Sequence, residues 1–331
     1  MGIAKYIKEI GRGKDGARSL DRVQAADLMG QVLDGQVTDL EIGGFCLAMR
    51  IKGETPQEMA GFLDAVHARL VKLPVQGPVV VIPSYNGARR LPVLTPLLGT
   101  LLAREGAAHG FGVLLHGCTT EDSRVSSHSV LEAVFLKQNR LLAQGNAAQA
   151  ATYSIAHGEL YFAATEVLSP AIKRLLDVRR AVGLRNSAHS LVKLMNPTTS
   201  AQALVVTSYT HPEYLHSMTA TLQLTCGHAM LLRGTEGEAV ADARRAPQMD
   251  GFVHGQHSVL HAAQAGTLAT LPDLPKAIDA DSTAQYIHEV LLGHKPVPAP
   301  IALQVEHILH LVDQIKNIPA KGLSSVLQQD V

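Results

Sequence analysis

Aromatic residues are scarce in this chain. None of its 331 residues is tryptophan, and phenylalanine and tyrosine together make up only 4%. Proteins that bind single-stranded nucleic acid by stacking its bases present several aromatic rings along the binding surface. The composition therefore argues against a binding mode that depends on stacking.

Cysteine and long apolar runs are also lacking. The three cysteines are odd in number, lie far apart and form no CxxC pair, which argues against a disulfide framework and fits a reducing compartment. The first residues, MGIAKYIKEIGRGK, lack the apolar stretch of a signal peptide, and no run approaches the roughly 18 apolar residues of a membrane span. We expect a soluble, cytoplasmic protein.

Net charge is absent as well. The chain has 29 Lys and Arg against 29 Asp and Glu, a formal net charge of +0 and an isoelectric point of about 7.3. A protein that binds nucleic acid with its whole surface would be strongly basic, and this balance argues against that class. It permits a nucleic-acid-binding protein only if the positive charge is concentrated on one face.

Residues 1–72 show the periodicity of short helices. Apolar residues recur at helical spacing in three segments that begin after Ser19, Thr38 and Thr55, and serine and threonine are favoured at helix N-termini. Polar turns separate the three segments. The pattern predicts a small helical lobe over residues 1–72.

Beyond a linker-like stretch, LPVQGP, the sequence pattern changes. Short apolar segments such as VVVIP, FGVLLHG and ALVVTSY alternate with helical stretches. Such alternation is typical of α/β folds with a largely parallel sheet. We therefore predict a large α/β lobe with a mainly parallel sheet over residues 73–331.

The first strand-like segment leads into a turn of unusual composition. In many enzymes a glycine-rich turn between a strand and a helix binds phosphate, because its backbone N–H groups close around the anion. Here residues 83–90 read PSYNGARR, with one glycine and two arginines, Arg89 and Arg90. The turn has therefore lost most of the glycines that such a phosphate site needs.

The segment 168–196 carries charge of almost one sign. Six of its charged residues are cations and only Asp177 is an anion, in a chain that is neutral overall. Solvated helix faces usually mix signs, and arginine pairs bidentately with phosphate oxygens. We predict that this segment binds anions, with an ordinary solvated helix face as the alternative. The six cations are Lys173, Arg174, Arg179, Arg180, Arg185 and Lys193.

Two further patterns give weaker signals. GRGKDG, residues 11–16, matches G-x-G-x-x-G but follows no strand, so we predict a helix-ending turn in which Arg12 and Lys14 contact phosphate. The histidines of HGQHSVLH, residues 254–261, have no carboxylate within that run and no HExxH pattern. We expect no metal site.

The helical segments resemble a known enzyme family. SLDRVQAADLMGQVLDGQVTDLEIGGFCLAMRIKGETPQEMAGF is similar to anthranilate phosphoribosyltransferase, and the similarity continues to about residue 250. The resemblance implies the nucleoside-phosphorylase-type (type II) phosphoribosyltransferase fold. In that fold, helices of about residues 168–195 join the N-terminal helices, and dimers form through this helical lobe.

The motifs that bind the phosphoribosyl donor in that family are altered here. The family motif Gly-Thr-Gly-Gly-Asp corresponds to residues 83–87, Asn-x-Ser-Thr to 92–95 and Lys-His-Gly-Asn-Arg to 115–119, and the residues at these positions differ from the motifs. A later Asn of the family is replaced by His189. The Mg²⁺-binding Asp-Gly-Leu-Asp-Glu falls on residues 236–240 and loses its Asp-Glu pair, so no cofactor is expected. Phosphoribosyl transfer needs amides, cations and Mg²⁺ around the developing charge, and ordinary transfer is therefore not expected. The resemblance assigns a degenerate donor-site loop to Ser84, Tyr85, Asn86, Gly87, Thr95, His116 and Gly117.

The altered motifs resemble one branch of these proteins. IPSYNGARR, LTPLL, GLRNSAH, RGTEGE and IKEIGRGK are similar to the YbiB-type nucleic-acid-binding paralogue. This resemblance implies a non-catalytic homodimer that binds single- or double-stranded nucleic acid through backbone phosphates. The alternatives are a glycosyl or phosphoribosyl transferase with an altered donor site and a dimeric scaffold for a protein partner. The predicted phosphate-binding residues are Arg12, Lys14, Arg89, Arg90, Lys173, Arg174, Arg179, Arg180, Arg185 and Lys193.

Overall fold

Helices form the first part of the chain. The computed structural model describes residues 2–13, 15–118, 123–137, 146, 152–268 and 271–317. The N-terminal helices are α1 (Ala4–Ile10), α2 (Arg22–Leu33), α3 (Asp39–Lys52) and α4 (Pro56–His67).

Capping boxes determine where the three longer N-terminal helices begin. Asp21, Thr38 and Thr55 each accept a hydrogen bond from the backbone N–H three residues later, and the side chain at that later position bonds back to the cap residue. The predicted caps at Thr38 and Thr55 are confirmed. The predicted cap at Ser19 is wrong, because Gln24 completes the box with Asp21.

A seven-stranded sheet follows in the described residues. Its strand order is β3-β2-β1-β4-β5-β6-β7, and β1 to β5 pair in parallel while β6 and β7 pair antiparallel. The predicted α/β class with a mainly parallel sheet is confirmed. The strands are β1 (Val79–Ser84), β2 (Gly112–Gly117), β3 (Leu160–Ala164), β4 (Ala203–Tyr209), β5 (Ala229–Arg233), β6 (Met249–Val253) and β7 (Gln256–His261).

Helices connect these strands and follow them. The strand order reverses between β1 and β4, and in sheets of this kind ligands bind at the carboxyl ends of the strands beside such a reversal.

No described helix combines the length and the hydropathy that a membrane span requires. The helices are α5 (Thr95–His109), α6 (Ser127–Lys137), α7 (Thr165–Leu168), α8 (Pro170–Val182), α9 (Ala188–Leu191), α10 (Glu213–Leu224), α11 (Ala280–Leu291) and α12 (Ala299–Lys316).

Two apolar clusters cover the two faces of the sheet. Along β1, Val79 and Val81 lie in the cluster that contains the N-terminal helices, whereas Val80 and Ile82 lie in the cluster formed with α5, α6, α11 and α12. Ile172 of α8 belongs to the first cluster. The basic helix α8 therefore packs with the N-terminal helices, on the face of the sheet opposite α5.

Candidate functional site

The turn after β1 folds back into a compact loop. Gly87 has a left-handed φ of 61°, and a Cβ added there would lie 2.5 Å from the carbonyl oxygen of Val125. The N–H of Ala88 donates to that same carbonyl at 3.0 Å. Residues 84–86 are buried. Glycine is required at position 87, because the neighbouring segment passes too close for a side chain.

This loop closes around a carboxylate of the chain itself. Glu238 is 1% exposed, and its Oε1 accepts hydrogen bonds from the backbone N–H groups of Asn86 and Gly87, both at 2.8 Å. Its Oε2 accepts from the hydroxyls of Ser84 and Thr95, the latter at 3.1 Å. Backbone amides that converge on an anion are what a phosphate loop provides. The degenerate donor-site loop therefore holds an internal anion.

Glu236 occupies a second set of backbone donors on the same loop. Its Oε1 accepts from the N–H groups of Arg90 at 2.9 Å and Leu91 at 3.0 Å, and the guanidinium of Arg124 lies 3.6 Å from Oε2. Glu236 and Gly237 both have positive φ, 52° and 89°, so the turn between β5 and β6 directs both carboxylates at the loop. We call Glu236 and Glu238 the glutamate pair. The side chains of Arg89 and Arg90 remain exposed.

The amine of Lys193 lies against the turn that carries the glutamate pair. Its Nζ donates to the carbonyl oxygens of Gly237 at 3.0 Å and Ser208 at 3.3 Å. Burial lowers the pKa of this amine to about 8, although the nearby Glu238 carboxylate acts in the opposite direction. Lys193 thus supplies positive charge to the interior of the site rather than to an outer surface.

The glutamate pair does not offer a Mg²⁺ site. Mg²⁺ needs several oxygen ligands in nearly ideal octahedral geometry. Both carboxylates instead accept hydrogen bonds from N–H and O–H donors of the loop. Within the described ranges, no group of three or more His, Cys, Asp or Glu residues could hold a metal ion. The residues present do not fit the metal that the family resemblance implies.

His116 and Gly117, which match the family motif, lie in the packed interface between β1 and β2. His116 is fully buried, its Nδ1 is 2.7 Å from the Tyr85 hydroxyl, and burial lowers its pKa to about 3. A Cβ added to Gly117 would lie 1.8 Å from the carbonyl oxygen of Ser84. Both residues hold the end of β2 close against the end of β1.

Helix α8 directs its cations to different sides. Lys173 and Arg180 flank Asp177, with nitrogen–oxygen distances of 2.5 Å and 3.9 Å. Arg174 is exposed, about 100° around the helix from Lys173. Arg179 lies three and four residues after buried leucines, on the apolar side of the helix, and one of its guanidinium nitrogens is buried. The cations of the segment predicted to bind anions are therefore divided between the surface and the interior.

A cavity of about 380 Å³ lies between the N-terminal helices and the end of β4. Arg185, His189 and Lys193 line it. Burial first, and then the positive charges of Arg185, Arg179 and Lys193, lower the pKa of His189 to about 4. The structure thus brings three of the predicted cations together around one histidine. Sequence reasoning did not single out several other lining residues: Arg50, Glu54, Tyr209, His211 and Tyr214.

The remaining candidates lie apart from this cavity. Arg12 forms an ion pair with Glu9 at 2.6 Å in the turn that ends α1, and Lys14 lies outside the described residues. In HGQHSVLH, His257 hydrogen-bonds to Asp250 of the neighbouring strand at 2.8 Å. This histidine run forms a hairpin strand and the turn before it.

Comparisons with known proteins agree with the fold. Residues 4–69 match the family described as "Glycosyl transferase family, helical bundle domain". Anthranilate phosphoribosyltransferase of Thermus thermophilus has a similar structure, with a TM-score of 0.66, 20% identity and 93% of each chain covered. The enzyme of Saccharomyces cerevisiae in complex with PRPP and Mg gives a TM-score of 0.64 at 12% identity, over 95% of this chain and 90% of that one.

Sequence comparison extends the same relationship. Anthranilate phosphoribosyltransferase of Brevibacillus brevis is 26% identical over 307 residues, which cover 91% of this chain and 86% of that protein. YbiB of Escherichia coli (strain K12) is 38% identical over 331 residues, which cover 99% of both chains. The chain therefore belongs to the family of YbiB, which is homologous to anthranilate phosphoribosyltransferase and shares its fold.

Proposed function

We propose that this protein is a non-catalytic homodimer that binds nucleic acid through backbone phosphates with little sequence preference. The observation that carries the proposal is the filled loop after β1, by which we mean the loop whose backbone N–H groups donate to the glutamate pair. Glu238 accepts hydrogen bonds from two backbone N–H groups of the loop that the family resemblance assigns to the donor pyrophosphate, and Glu236 accepts from two more. The side chains of Arg89 and Arg90 remain exposed on the outside of the same loop.

The filled loop disfavours phosphoribosyl transfer on electrostatic grounds. In the transition state of such a transfer the departing pyrophosphate gains negative charge, which enzymes stabilise with preorganised donors, cations and a metal ion. Here the donors already serve an internal carboxylate, and a second anion beside Glu238 would meet like charge. Thr95, a match to the family motif, donates its hydroxyl to that same carboxylate.

The exposed cations suit a polyanion whose phosphates are regularly spaced. Arginine binds phosphate oxygens bidentately and keeps its charge at every physiological pH. Arg89, Arg90, Arg174 and Arg180 are exposed, and they come from two separate elements of the fold. Contacts of this kind position a backbone without reading bases.

Fluorescence anisotropy of a labelled single-stranded oligonucleotide, titrated at several salt concentrations, tests the proposal. We expect log Kd to rise linearly with log salt, because each neutralised phosphate releases counterions. The double variant Arg89→Glu/Arg90→Glu should weaken binding at least tenfold and reduce the slope by about 1 for each phosphate that is no longer neutralised. Arg104→Glu, which reverses one charge instead of two, is the control, since Arg104 is exposed on the second half of α5, which runs back toward the amino ends of the strands.

Weak binding at low salt, or an equal loss in Arg104→Glu, would contradict nucleic-acid binding through the loop. The transferase alternative is tested separately by calorimetry with the phosphoribosyl pyrophosphate donor, with and without Mg²⁺. We expect no metal-dependent binding of the donor. Tight, Mg²⁺-dependent binding would support a transferase with an altered donor site instead.

The dimer proposal has its own structural support on α3. Leu40, Leu47 and Ile51 are 87%, 45% and 58% exposed, and their spacing of seven and four residues places them on one side of the helix. Exposed apolar patches of this kind mark interaction surfaces. The resemblance to dimers that form through the helical lobe supports a second copy of this chain as the partner.

Light scattering during size-exclusion chromatography tests the dimer. We expect twice the 35.3 kDa of one chain for the wild type and a single-chain mass for Leu47→Glu, because the new carboxylate would be buried without a partner. Leu292→Glu is the control, since Leu292 is 56% exposed but lies at the end of α11. A single-chain mass for the wild type would refute the dimer.

A further inference from the structure

The cavity bordered by Arg185, His189 and Lys193 lies where α/β proteins of this topology bind ligands. One wall is the carboxyl end of β4, next to the reversal of strand order, and the opposite wall is formed by α3 and the start of α4. Its volume of about 380 Å³ is within the usual range for small-molecule sites, roughly 300–1,000 Å³. The filled loop after β1 does not use this space.

Cations, aromatic rings and thioethers line the cavity. Arg185 and Lys193 supply positive charge, and Glu54 and Glu213 add two carboxylates to the lining. Tyr209 and Tyr214 supply aromatic rings. Methionine side chains adapt to planar ligands of different shape, because they are flexible and polarisable. The three lining methionines are Met49, Met59 and Met218.

A buried histidine borders this cavity. His189 is 8% exposed, and its Nε2 has no hydrogen-bond partner in the described part of the chain. Its Nδ1 lies 3.3 Å from the backbone nitrogen, the backbone oxygen and the side-chain oxygen of Asn186, so the preceding turn fixes the ring. The positive charge along this stretch of the lining therefore comes from Arg185 and Lys193.

We infer that the cavity binds the terminal nucleotide of a nucleic-acid strand, with the phosphate toward Arg185 and Lys193 and the base against Tyr214. The inference rests on the proposed function and adds an end-specific contact to it. A planar base suits the lining tyrosines and methionines, since unstacked bases are bound by stacking on aromatic residues. A terminal base is also easier to unstack than an internal one, because it has only one stacked neighbour.

The first test places the fluorescent base 2-aminopurine at the 3′ end, at the 5′ end or in the middle of otherwise identical single strands. We expect protein binding to change the fluorescence of one end position and to leave the middle position unchanged. A circular strand of equal length has no end, and we expect it to bind about tenfold more weakly than the linear strand.

Ser217→Phe provides a variant that fills the cavity and leaves its charges in place. Ser217 lines the cavity from α10, and Ser217→Ala is the matched control that removes the hydroxyl without adding volume. We expect Ser217→Phe to abolish the end-specific fluorescence change and the preference for linear strands. Its affinity for the circular strand and its melting temperature should match those of Ser217→Ala.

The outcomes separate this inference from the proposed function. If neither linear nor circular strands bind, nucleic-acid binding itself fails. If both bind equally and Ser217→Phe changes nothing, only the terminal-nucleotide site is refuted. If free AMP or UMP displaces the fluorescent end at concentrations near the Kd of the strand, the cavity is a site for free nucleotides, and the strand-end assignment is overturned.

Discussion

Glu238→Ala is expected to lower the free energy of unfolding by about 3–5 kcal/mol, the usual cost of removing one partner from a buried charged network. The substitution leaves the amides of Asn86 and Gly87 and the Thr95 hydroxyl without their acceptor. It also leaves the buried Lys193 amine without the nearby carboxylate. Urea unfolding followed by circular dichroism measures the loss.

A small anion should reverse part of this loss, and that reversal distinguishes an anion site from ordinary packing. Formate added to Glu238→Ala should raise its melting temperature, because a ligand that binds only the folded state stabilises it by mass action. The wild type and the exposed-site control Glu306→Ala should show no such rise. Equal responses in all three proteins would rule out an anion cradle in the loop.

Acidification from pH 6.5 to pH 4 is expected to destabilise the protein strongly. Burial lowers the pKa of His67, His189 and His228 to about 4 and that of His116 to about 3. Between these values and the ordinary 6.5, the unfolded chain binds protons that the folded chain does not, so stability is lost as the pH falls. At about 1.4 kcal/mol per pKa unit, one such histidine contributes on the order of 3 kcal/mol.

Melting temperatures recorded from pH 7.5 to pH 4 test this expectation. His67 accepts a hydrogen bond from the Asn196 N–H at 3.0 Å. His67→Gln keeps an acceptor but does not titrate, so the melting temperature of this variant should fall less between pH 6.5 and pH 4 than that of the wild type. His310→Gln is the control, because His310 is exposed. A flat profile over this range would show that the buried histidines do not govern acid stability.

The sequence was a good guide to the fold where the pattern was local. Thr38 and Thr55 carry complete capping boxes within four residues, and the buried parallel strands are short apolar runs. The edge hairpin was not predicted as strands. Four of the six residues of β7 are exposed, so its polar sequence lacks the apolar run of a buried strand.

The candidate site was predicted less completely, because its main contacts are distant in sequence. Glu238 lies 152 residues from Asn86 in sequence. No local sequence pattern predicts that the carboxylate of Glu238 accepts hydrogen bonds from the amides of the loop after β1. The changed motifs predicted an altered donor site but did not predict which group occupies the amides of the loop. The excess of positive charge around α8 was visible in the sequence. The orientation of Arg179 toward the interior was not, because it depends on how the helix packs.

The carboxylate held by the loop also means that the loop needs no bound anion to keep its shape. A side chain tethered near its own binding site acts at an effective concentration that short linkers place in the millimolar range or above. A free anion would have to compete with that concentration to displace Glu238 from the amides of Asn86 and Gly87. The loop that carries Arg89 and Arg90 is therefore preorganised by the chain itself.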